Sequence, residues 1–246
     1  MSYLKILNLQ FNRYRLTTTI EDNTIYGFYC PNEEDRLEFF KLIAGINDNS
    51  NSIFYCDLEF VDHNVFDNQE YFEKRLYIDF KHKYLKTLNA NAISEMFKVR
   101  FNKEFNIASY KEAVSSSNIR SEVLLSNEYQ FTPLGITLSS YCLFKGLNYQ
   151  YNFIDNPVVN IKNNDLKKKI YENICKKELN PIIGFDKLTD CKDYCDKIIV
   201  AGEYQDIVVI DVKNDSFIVS NDNQILRNKF QISKWYNVAD LRKMKS

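Results

Sequence analysis

The sequence predicts an α/β fold, and two strand-and-turn segments with a helical stretch between them support this prediction. Ile25–Tyr29 is a short apolar run typical of a buried strand, and the turn residues Pro31-Asn32 break it. From Arg36 onward apolar residues recur at spacings of three and four, which indicates a helix. A second buried run, Tyr151–Asp155, also reads as a strand, and helical spacing dominates much of residues 81–149. Strands and helices therefore alternate along the chain.

Composition excludes several classes of protein. The chain has 246 residues, 45% hydrophobic and 26% charged, which is enough for one large domain with a real core and argues against disorder. Its formal net charge is −1 with both signs interspersed, so a nucleic-acid surface built on positive excess is not expected. No apolar run approaches the roughly 20 residues of a membrane span, and the first residues lack a signal-peptide pattern. We therefore expect a cytoplasmic chain without direct membrane insertion.

The six cysteines are scattered, so we expect free thiols rather than a disulfide framework. Cys191 and Cys195 are four positions apart on a predicted helix and could share a face. With only His63 and His82 in the whole chain, a zinc site is not expected.

Further elements are expected on the same grounds. Strands are predicted at Leu4–Leu9, Leu16–Ile20, Ile53–Cys56, Leu76–Phe80, Ile182–Asp186 and Lys197–Val200. Helices are predicted at Tyr84–Val114, Ile136–Phe144, Asp165–Leu179, Lys187–Asp196 and within the tail Lys229–Ser246 near Trp235. The first helical stretch has an apolar face of Leu85, Leu88, Ala92, Ile93, Met96, Phe97 and Val99. The runs Ile207–Val212 and Ser216–Ser220 are predicted to form a hairpin around Lys213-Asn214-Asp215.

The stretch Ile25–Gly45 resembles the Walker A region of ABC transporter ATPases. The matching strings are Ile25-Tyr26-Gly27, Pro31-Asn32 and Lys41-Leu42-Ile43-Ala44-Gly45. The resemblance implies a P-loop NTPase-like core of the ABC ATPase type, with a mostly parallel sheet, antiparallel N-terminal strands and an inserted helical subdomain. It implies one nucleotide-binding domain over residues 1–246, with a core lobe at 1–80 and 150–246 and the helical subdomain at 81–149.

Within this frame the residues that would hold phosphate are replaced. The family's glycines fall on Cys30, Glu33 and Asp35, its alanine on Glu34, its lysine on Arg36 and its magnesium-binding hydroxyl on Leu37. Charges about 4 Å apart interact by about 1 kcal/mol in water and about 4 kcal/mol at a protein surface, so three carboxylates should outweigh one arginine and repel a triphosphate. A simpler interpretation is that the acidic residues stabilise the positive end of their own helix. The two interpretations are compatible.

The second half of the chain resembles the same family. Asp155 matches the magnesium-binding aspartate of Walker B, and Asn156 stands in place of the catalytic glutamate, although an amide is no general base. Taken alone, Asp155-Asn156-Pro157 is better interpreted as a turn that ends a strand. Phe185 falls on the switch histidine, Asp186 matches the residue after it, and Tyr194–Val200 matches the string that follows.

Three other functional positions of the family are altered or open to a second interpretation. The signature falls on Phe131–Gly135, where Thr132 alone keeps similar chemistry and Pro133 lacks an amide donor. The sensing glutamine has no counterpart among Asp79-Phe80-Lys81, in a loop that in transporters also touches the permease. Tyr14 stands where the family stacks an aromatic ring on adenine, but in a chain with 17 tyrosines a packed core tyrosine is the more common role.

The resemblance therefore implies a catalytically inactive ABC transporter ATPase-like subunit, a probable pseudo-ATPase. It would pair with an active ATPase subunit, dock on a membrane permease and lie peripherally at the inner face of the cell membrane. We expect no catalytic residue and no metal ion, and ATP and magnesium binding that is weak or absent. The alternatives are a soluble structural or regulatory interaction protein on the same fold, and an enzyme with another pocket. No Ser/His/Asp set, metal cluster or pair of acids supports the last alternative.

Overall fold

A computed structural model describes most of the chain. The described residues are 2–46, 53–56, 69–81, 89–117, 132–147, 149–202, 207–214, 217–219 and 225–227. Two compact units divide the chain: unit 1 is Met1–Tyr77, Tyr151–Asp155 and Cys175–Ser246, and unit 2 is Ile78–Gln150 and Asn156–Ile174. None of the described helices is long and apolar enough to cross a membrane.

Strands and helices alternate over much of the chain. In order they are β1 (Ser2–Phe11), β2 (Tyr14–Glu21), β3 (Tyr26–Tyr29), α1 (Glu33–Ile43), β4 (Ile53–Cys56), α2 (Gln69–Lys74), β5 (Arg75–Asp79), α3 (Ala90–Phe101), α4 (Ile107–Ser116), α5 (Pro133–Gly146), β6 (Tyr151–Asp155), α6 (Asn164–Ile174), β7 (Pro181–Phe185), α7 (Leu188–Tyr194), β8 (Lys197–Ala201), β9 (Ile207–Asp211), β10 (Phe217–Val219) and β11 (Ile225–Arg227).

An antiparallel sheet at the start of unit 1 has the strand order β2-β1-β4. Along β2 the buried side chains of Tyr14 and Leu16 alternate with the exposed side chains of Arg15 and Thr17, because one face of the strand meets the core. Asn12 turns the chain between β1 and β2 with φ 47°, a left-handed conformation that asparagine tolerates. The predicted antiparallel N-terminal strands are confirmed.

The larger sheet has the strand order β5-β6-β7-β3-β8-β9. β6, β7, β3 and β8 pair in parallel, and β9 joins β8 in antiparallel fashion. Every residue of β3, β6 and β7 is buried, as expected for central strands covered on both faces. The predicted mostly parallel sheet is confirmed.

The core of unit 1 is built on aromatic rings that hold α1 in place. Phe28 of β3 stacks on Phe39 of α1, with ring centroids 3.9 Å apart, and meets the edge of Phe40 at 5.9 Å. Phe11 of β1 lies 5.4 Å from Phe39. All four rings are fully buried, and such pairs add about 0.5–1.5 kcal/mol each beyond the area they bury. These contacts fix the position of α1 against β1 and β3.

In unit 2, part of the apolar face predicted for α3 is wrong. Ile93 and Phe97 of α3 are buried as predicted, but Ala92 is exposed and Val99 is 76% exposed. Successive helix residues turn by about 100°, so Val99 lies roughly 200° around the helix from Phe97. Leu85 and Leu88 lie outside the described residues.

Two further predictions need correction. α6 ends at Ile174 rather than Leu179, because Lys176 has an extended backbone before a 3-10 turn at Lys177–Leu179 leads into β7. β9 and β10 form no hairpin: β9 pairs with β8, and β10 pairs with β11. The chain does turn after β9, as predicted. A turn alone, however, does not determine which strands pair. The predicted C-terminal helix lies outside the described residues.

Asp196, directly before β8, contacts three other segments of unit 1. Its carboxylate accepts the Ile25 N–H at 3.1 Å and lies 3.2 Å from Lys177 Nζ and 3.4 Å from Lys213 Nζ. Burial by itself raises the pKa of Asp196, but the Ile25 hydrogen bond and the two lysines outweigh burial and lower it. A carboxyl whose folded pKa is depressed stabilises the fold above its unfolded pKa and loses that contribution as pH falls through the folded pKa.

Replacing this carboxylate should therefore weaken the fold in a pH-dependent way. We expect Asp196→Asn to lose about 1 kcal/mol of unfolding free energy near neutral pH. The difference from the unsubstituted protein should shrink as pH falls below about 4. Urea unfolding across this pH range measures it, and Asp193→Asn, at an exposed position on α7, is the control. A difference that does not change with pH would contradict the assigned role.

Candidate functional site

The turn after β3 begins the candidate site at the N-terminus of α1. The Asn32 side chain caps the helix by accepting the N–H groups of Glu34 at 2.8 Å and Asp35 at 3.2 Å. Glu33 and Glu34 are exposed, whereas Asp35 is buried. All three carboxylates lie in the first turn, where they interact favourably with the positive end of the helix dipole. The helix-stabilising interpretation of the acidic cluster thus fits the geometry.

Asp35 also connects α1 to the turn between β1 and β2. Asn12 Nδ2 donates to Asp35 Oδ1 at 2.6 Å, and Arg13 Nε lies 4.0 Å from Asp35 Oδ2. The carboxylate is therefore held by groups of its own chain.

Arg36 makes the central contact of the site. Its Nε donates to Asp155 Oδ1 at 2.6 Å, its Nη2 reaches Asp155 Oδ2 at 3.5 Å, and its Nη1 donates to Asp186 Oδ1 at 2.9 Å. The side chain of Arg36 is only 3% exposed and that of Asp155 is fully buried, while Asp186 is half exposed. Burial alone would lower the pKa of Arg36, but Asp155 and then Asp186 raise it, so the guanidinium stays charged.

Gly184 on β7 makes room for this ion pair. A Cβ at this position would lie 2.2 Å from Asp155 Oδ1 and 2.8 Å from Phe40 Cε2. Any side chain would therefore displace the carboxylate or the ring. Sequence reasoning missed Gly184 as a site residue, although an isolated glycine within a strand run signals a close approach of this kind.

The other predicted positions of unit 1 are packed in its interior. The Tyr14 ring is fully buried 5.2 Å from that of Phe11, and the Arg13 guanidinium lies over it at 5.1 Å. Burial, reinforced by Cys30, raises the pKa of Tyr14 to about 12, and burial raises that of the Cys30 thiol. Phe185 is also fully buried, in β7. A buried Tyr14 ring offers no open face on which adenine could stack, as the packed-tyrosine interpretation expects.

Leu37, at the predicted position of the magnesium-binding hydroxyl, is partly buried on α1. Within the described parts of the chain, no group of three or more His, Cys, Asp or Glu side chains is arranged to hold a metal ion.

Thr132 and Asn156 belong to unit 2 and serve backbone roles there. Thr132 Oγ1 accepts the Gly135 N–H at 3.0 Å and so caps α5, which begins at Pro133. Asn156 is buried with φ 44°, and its carbonyl accepts the Val159 N–H at 3.2 Å. Asparagine adopts this left-handed conformation more readily than other non-glycine residues. The turn that ends β6 therefore has its own reason for an asparagine.

The buried ion pair allows a stability prediction. We expect Arg36→Met to lower the free energy of unfolding by about 3–5 kcal/mol, because it leaves the Asp155 carboxylate buried without its counter-charge. The double variant Arg36→Met/Asp155→Leu should recover most of this loss, since an apolar pair needs no compensation. Denaturant titration measures both.

The exposed Arg15 provides the matched control, since Arg15→Met removes the same side chain without burying a charge. We expect a change of less than about 0.5 kcal/mol there. Equal losses for the two single variants would show that the ion pair is not the cause.

Solved structures with a similar fold are nucleotide-binding parts of ABC transporters. An ABC transporter ATP-binding protein from Pyrococcus furiosus has a TM-score of 0.61 and 17% identity, covering 81% of this chain and 97% of that chain. CbiO1 from Clostridium perfringens, part of the ABC transporter complex cbiONQ, has a TM-score of 0.59 and 14% identity, covering 87% and 90%. The dimeric bacterial ABC transporter cassette MJ0796 has a TM-score of 0.60 and 11% identity, covering 81% and 91%.

No protein-family model matches the sequence, and neither does any curated protein. Identities this low establish the fold alone. The chain has the ABC ATPase fold, with a mixed and mostly parallel sheet, antiparallel N-terminal strands and helices.

Proposed function

We propose that this chain is a catalytically inactive ABC ATPase-like subunit that pairs with an active ATPase subunit and docks on a membrane permease. One observation carries the proposal: the Arg36 guanidinium is paired with both Asp155 and Asp186. Arg36 stands at the family's phosphate-binding lysine and Asp155 at its magnesium-binding aspartate. The resemblance would have these two side chains bind phosphate and magnesium, but here they bind each other.

Asp155 is poorly suited to a magnesium ion. A ligand oxygen must be free to face the metal, but Asp155 Oδ1 accepts a hydrogen bond from Arg36 Nε at 2.6 Å in a fully buried setting. Separating a buried pair costs about 3–5 kcal/mol, which corresponds to roughly a hundred- to a few thousand-fold loss of affinity. The metal would also bring its positive charge beside a charged guanidinium.

The N-terminus of α1, where phosphate would bind, does not fit a nucleotide either. A phosphate loop needs backbone N–H groups that are open to the ligand, whereas the Asn32 side chain already accepts the N–H groups of Glu34 and Asp35. Glu33 and Glu34 add exposed negative charge at the same helix end. These residues do not fit magnesium-ATP, and we derive no hydrolytic step from them.

The residue at the position of the family's catalytic glutamate also supports an inactive subunit. Asn156 carries an amide that cannot take a proton from water near neutral pH. Its φ of 44° favours asparagine over glutamate for backbone reasons as well. Hydrolysis would lack a base even if a nucleotide entered.

The partners are inferred from the fold. Of the similar structures, CbiO1 is part of a transporter complex and MJ0796 is a dimer. A chain of this fold without a working site of its own would contribute its surfaces rather than its chemistry. The alternative that it is a soluble structural or regulatory interaction protein differs only in whether a permease is among its partners.

The nucleotide prediction is direct. We expect no saturable binding of magnesium-ATP by calorimetry up to about 1 mM, the upper end of the usual substrate range. No phosphate release above background should accompany it. Micromolar affinity for ATP in the isolated protein would overturn the inactive-subunit proposal.

A restored loop is the matched control for this measurement. A variant carrying Cys30→Gly, Glu33→Gly, Asp35→Gly, Arg36→Lys and Leu37→Thr removes the carboxylates at two loop positions and replaces the guanidinium, which binds Asp155 through two nitrogens, with a single ammonium group. Provided circular dichroism shows that it folds, we expect measurable magnesium-ATP binding. If the folded variant binds no better than the unsubstituted chain, the altered loop is not what prevents binding.

The partner prediction needs the native membrane. We expect the tagged chain, isolated from detergent-solubilised membranes, to retain a membrane-spanning protein and a second ATPase chain, both identified by mass spectrometry. Recovery only from the soluble fraction, with partners that lack membrane spans, would favour the soluble interaction protein. An isolation from the same membranes without the tagged chain controls for non-specific capture.

A further inference from the structure

Unit 2 contains a cavity of about 670 Å³, and its described lining includes none of Arg36, Asp155 and Asp186. It lies between the start of α5 and the segment that leads into α6. Its volume is in the range of about 300–1,000 Å³ that is usual for small-molecule sites.

The wall of the cavity is apolar. Leu134 contributes from the first turn of α5, Val159 and Ile161 from the connecting segment and Leu166 from α6. Ile161 and Leu166 are almost completely buried at 3% and 8% exposure. Such a lining favours the apolar body of a ligand, at about 25 cal/mol per Å² of apolar surface removed from water.

The neutral polar groups at the rim already have partners within the protein. Asn160 Nδ2 donates to the Pro133 carbonyl and to Thr137 Oγ1, both at 3.1 Å. Thr132 Oγ1 accepts the Gly135 N–H, and Asn163 Oδ1 accepts the Leu166 N–H at 2.9 Å. These hydrogen bonds hold the neutral side chains of the rim in place.

Lys162 differs from these neutral side chains in its charge and in its contacts. Its exposed side chain lines the cavity, and within the described residues its ammonium has no ion pair or hydrogen bond to the protein. None of the described residues that line this cavity carries a carboxylate. The cavity thus combines an apolar wall with one available positive charge.

We propose that this cavity binds a small apolar carboxylate, with the aliphatic body against Leu134, Ile161 and Leu166 and the carboxylate toward Lys162. The charge complementarity selects an anion, and the apolar wall selects a short aliphatic chain over a polyanion. A nucleotide would place several negative charges against one lysine and its ribose against leucine and isoleucine. The site is independent of the proposed loss of ATP chemistry.

Sodium octanoate is the probe, and 1-octanol is its neutral counterpart. Calorimetry gives the affinities, and methyl NMR locates the bound chain. We expect saturable octanoate binding, with shifts confined to the methyl groups of residues 134, 159, 161 and 166 and of their neighbours. Lys162→Gln should weaken octanoate binding about fivefold, the value of one exposed ion pair, while octanol binding stays unchanged.

Two further variants make the test discriminating. Lys168→Gln removes an exposed lysine that lies on α6 outside the cavity lining, and it should leave octanoate binding unchanged. Leu134→Glu puts a carboxylate on the wall and should abolish octanoate binding while the circular dichroism spectrum is kept.

Absence of saturable octanoate binding would overturn the proposal. Equal weakening by Lys162→Gln and Lys168→Gln, or shifts outside unit 2, would do the same. Because magnesium-ATP is not used, failure here is distinguishable from failure of the inactive-subunit proposal.

Discussion

The buried contact between Arg36 and Asp155 is the constraint on which the described centre of unit 1 depends. It joins α1 to β6 through a 2.6 Å hydrogen bond, and Asp186, just after β7, extends it. Two charges withdrawn from water stabilise a fold only when each satisfies the other, so neither position can change independently. The same constraint explains Gly184, whose missing Cβ leaves the space that the carboxylate occupies. An electrostatic requirement on one helix thus determines a residue type on a strand.

Aromatic packing puts this arginine where it is needed. Phe40 lies one helical turn after Arg36, so the two side chains share a face of α1. Phe39 and Phe40 pack on Phe28 and press that face against the sheet. The apolar contacts supply most of the free energy, since burial of a phenylalanine contributes about 1.5–3 kcal/mol. The ion pair mainly fixes orientation, because buried pairs add little net stability but penalise misplacement.

Local signals in the sequence predicted most of the described elements, and the errors had both distant and local causes. The strand, the turn at Asn32 and the helix after it are encoded within about 20 neighbouring residues, so apolar spacing and capping chemistry suffice. The pairing of Arg36 with Asp155 joins residues 119 positions apart, and the resemblance placed both at one site without indicating that they would bind each other. The predicted hairpin of β9 and β10 was wrong because, among the described strands, β10 pairs with β11 in a separate sheet, and a local turn signal does not reveal that partner. The prediction for Val99 was wrong because the rotation of about 100° per residue places it on the opposite side of the helix from the buried face.

A protein that binds a ligand in its folded state gains stability from the ligand, by RT ln(1 + [L]/Kd) for one site. A fold whose charged site residues already pair with one another does not receive that contribution and cannot respond to the ligand concentration through it. Arg36, Asp155 and Asp186 together carry one positive and two negative charges, and a bound magnesium triphosphate would have to displace this balance rather than complete it. Under the proposed function, the scaffold would hold one state irrespective of nucleotide, and the active partner alone would supply the nucleotide-driven change. Under that proposal, the aromatic core that supports α1 would maintain the shape of the subunit without a contribution from site chemistry.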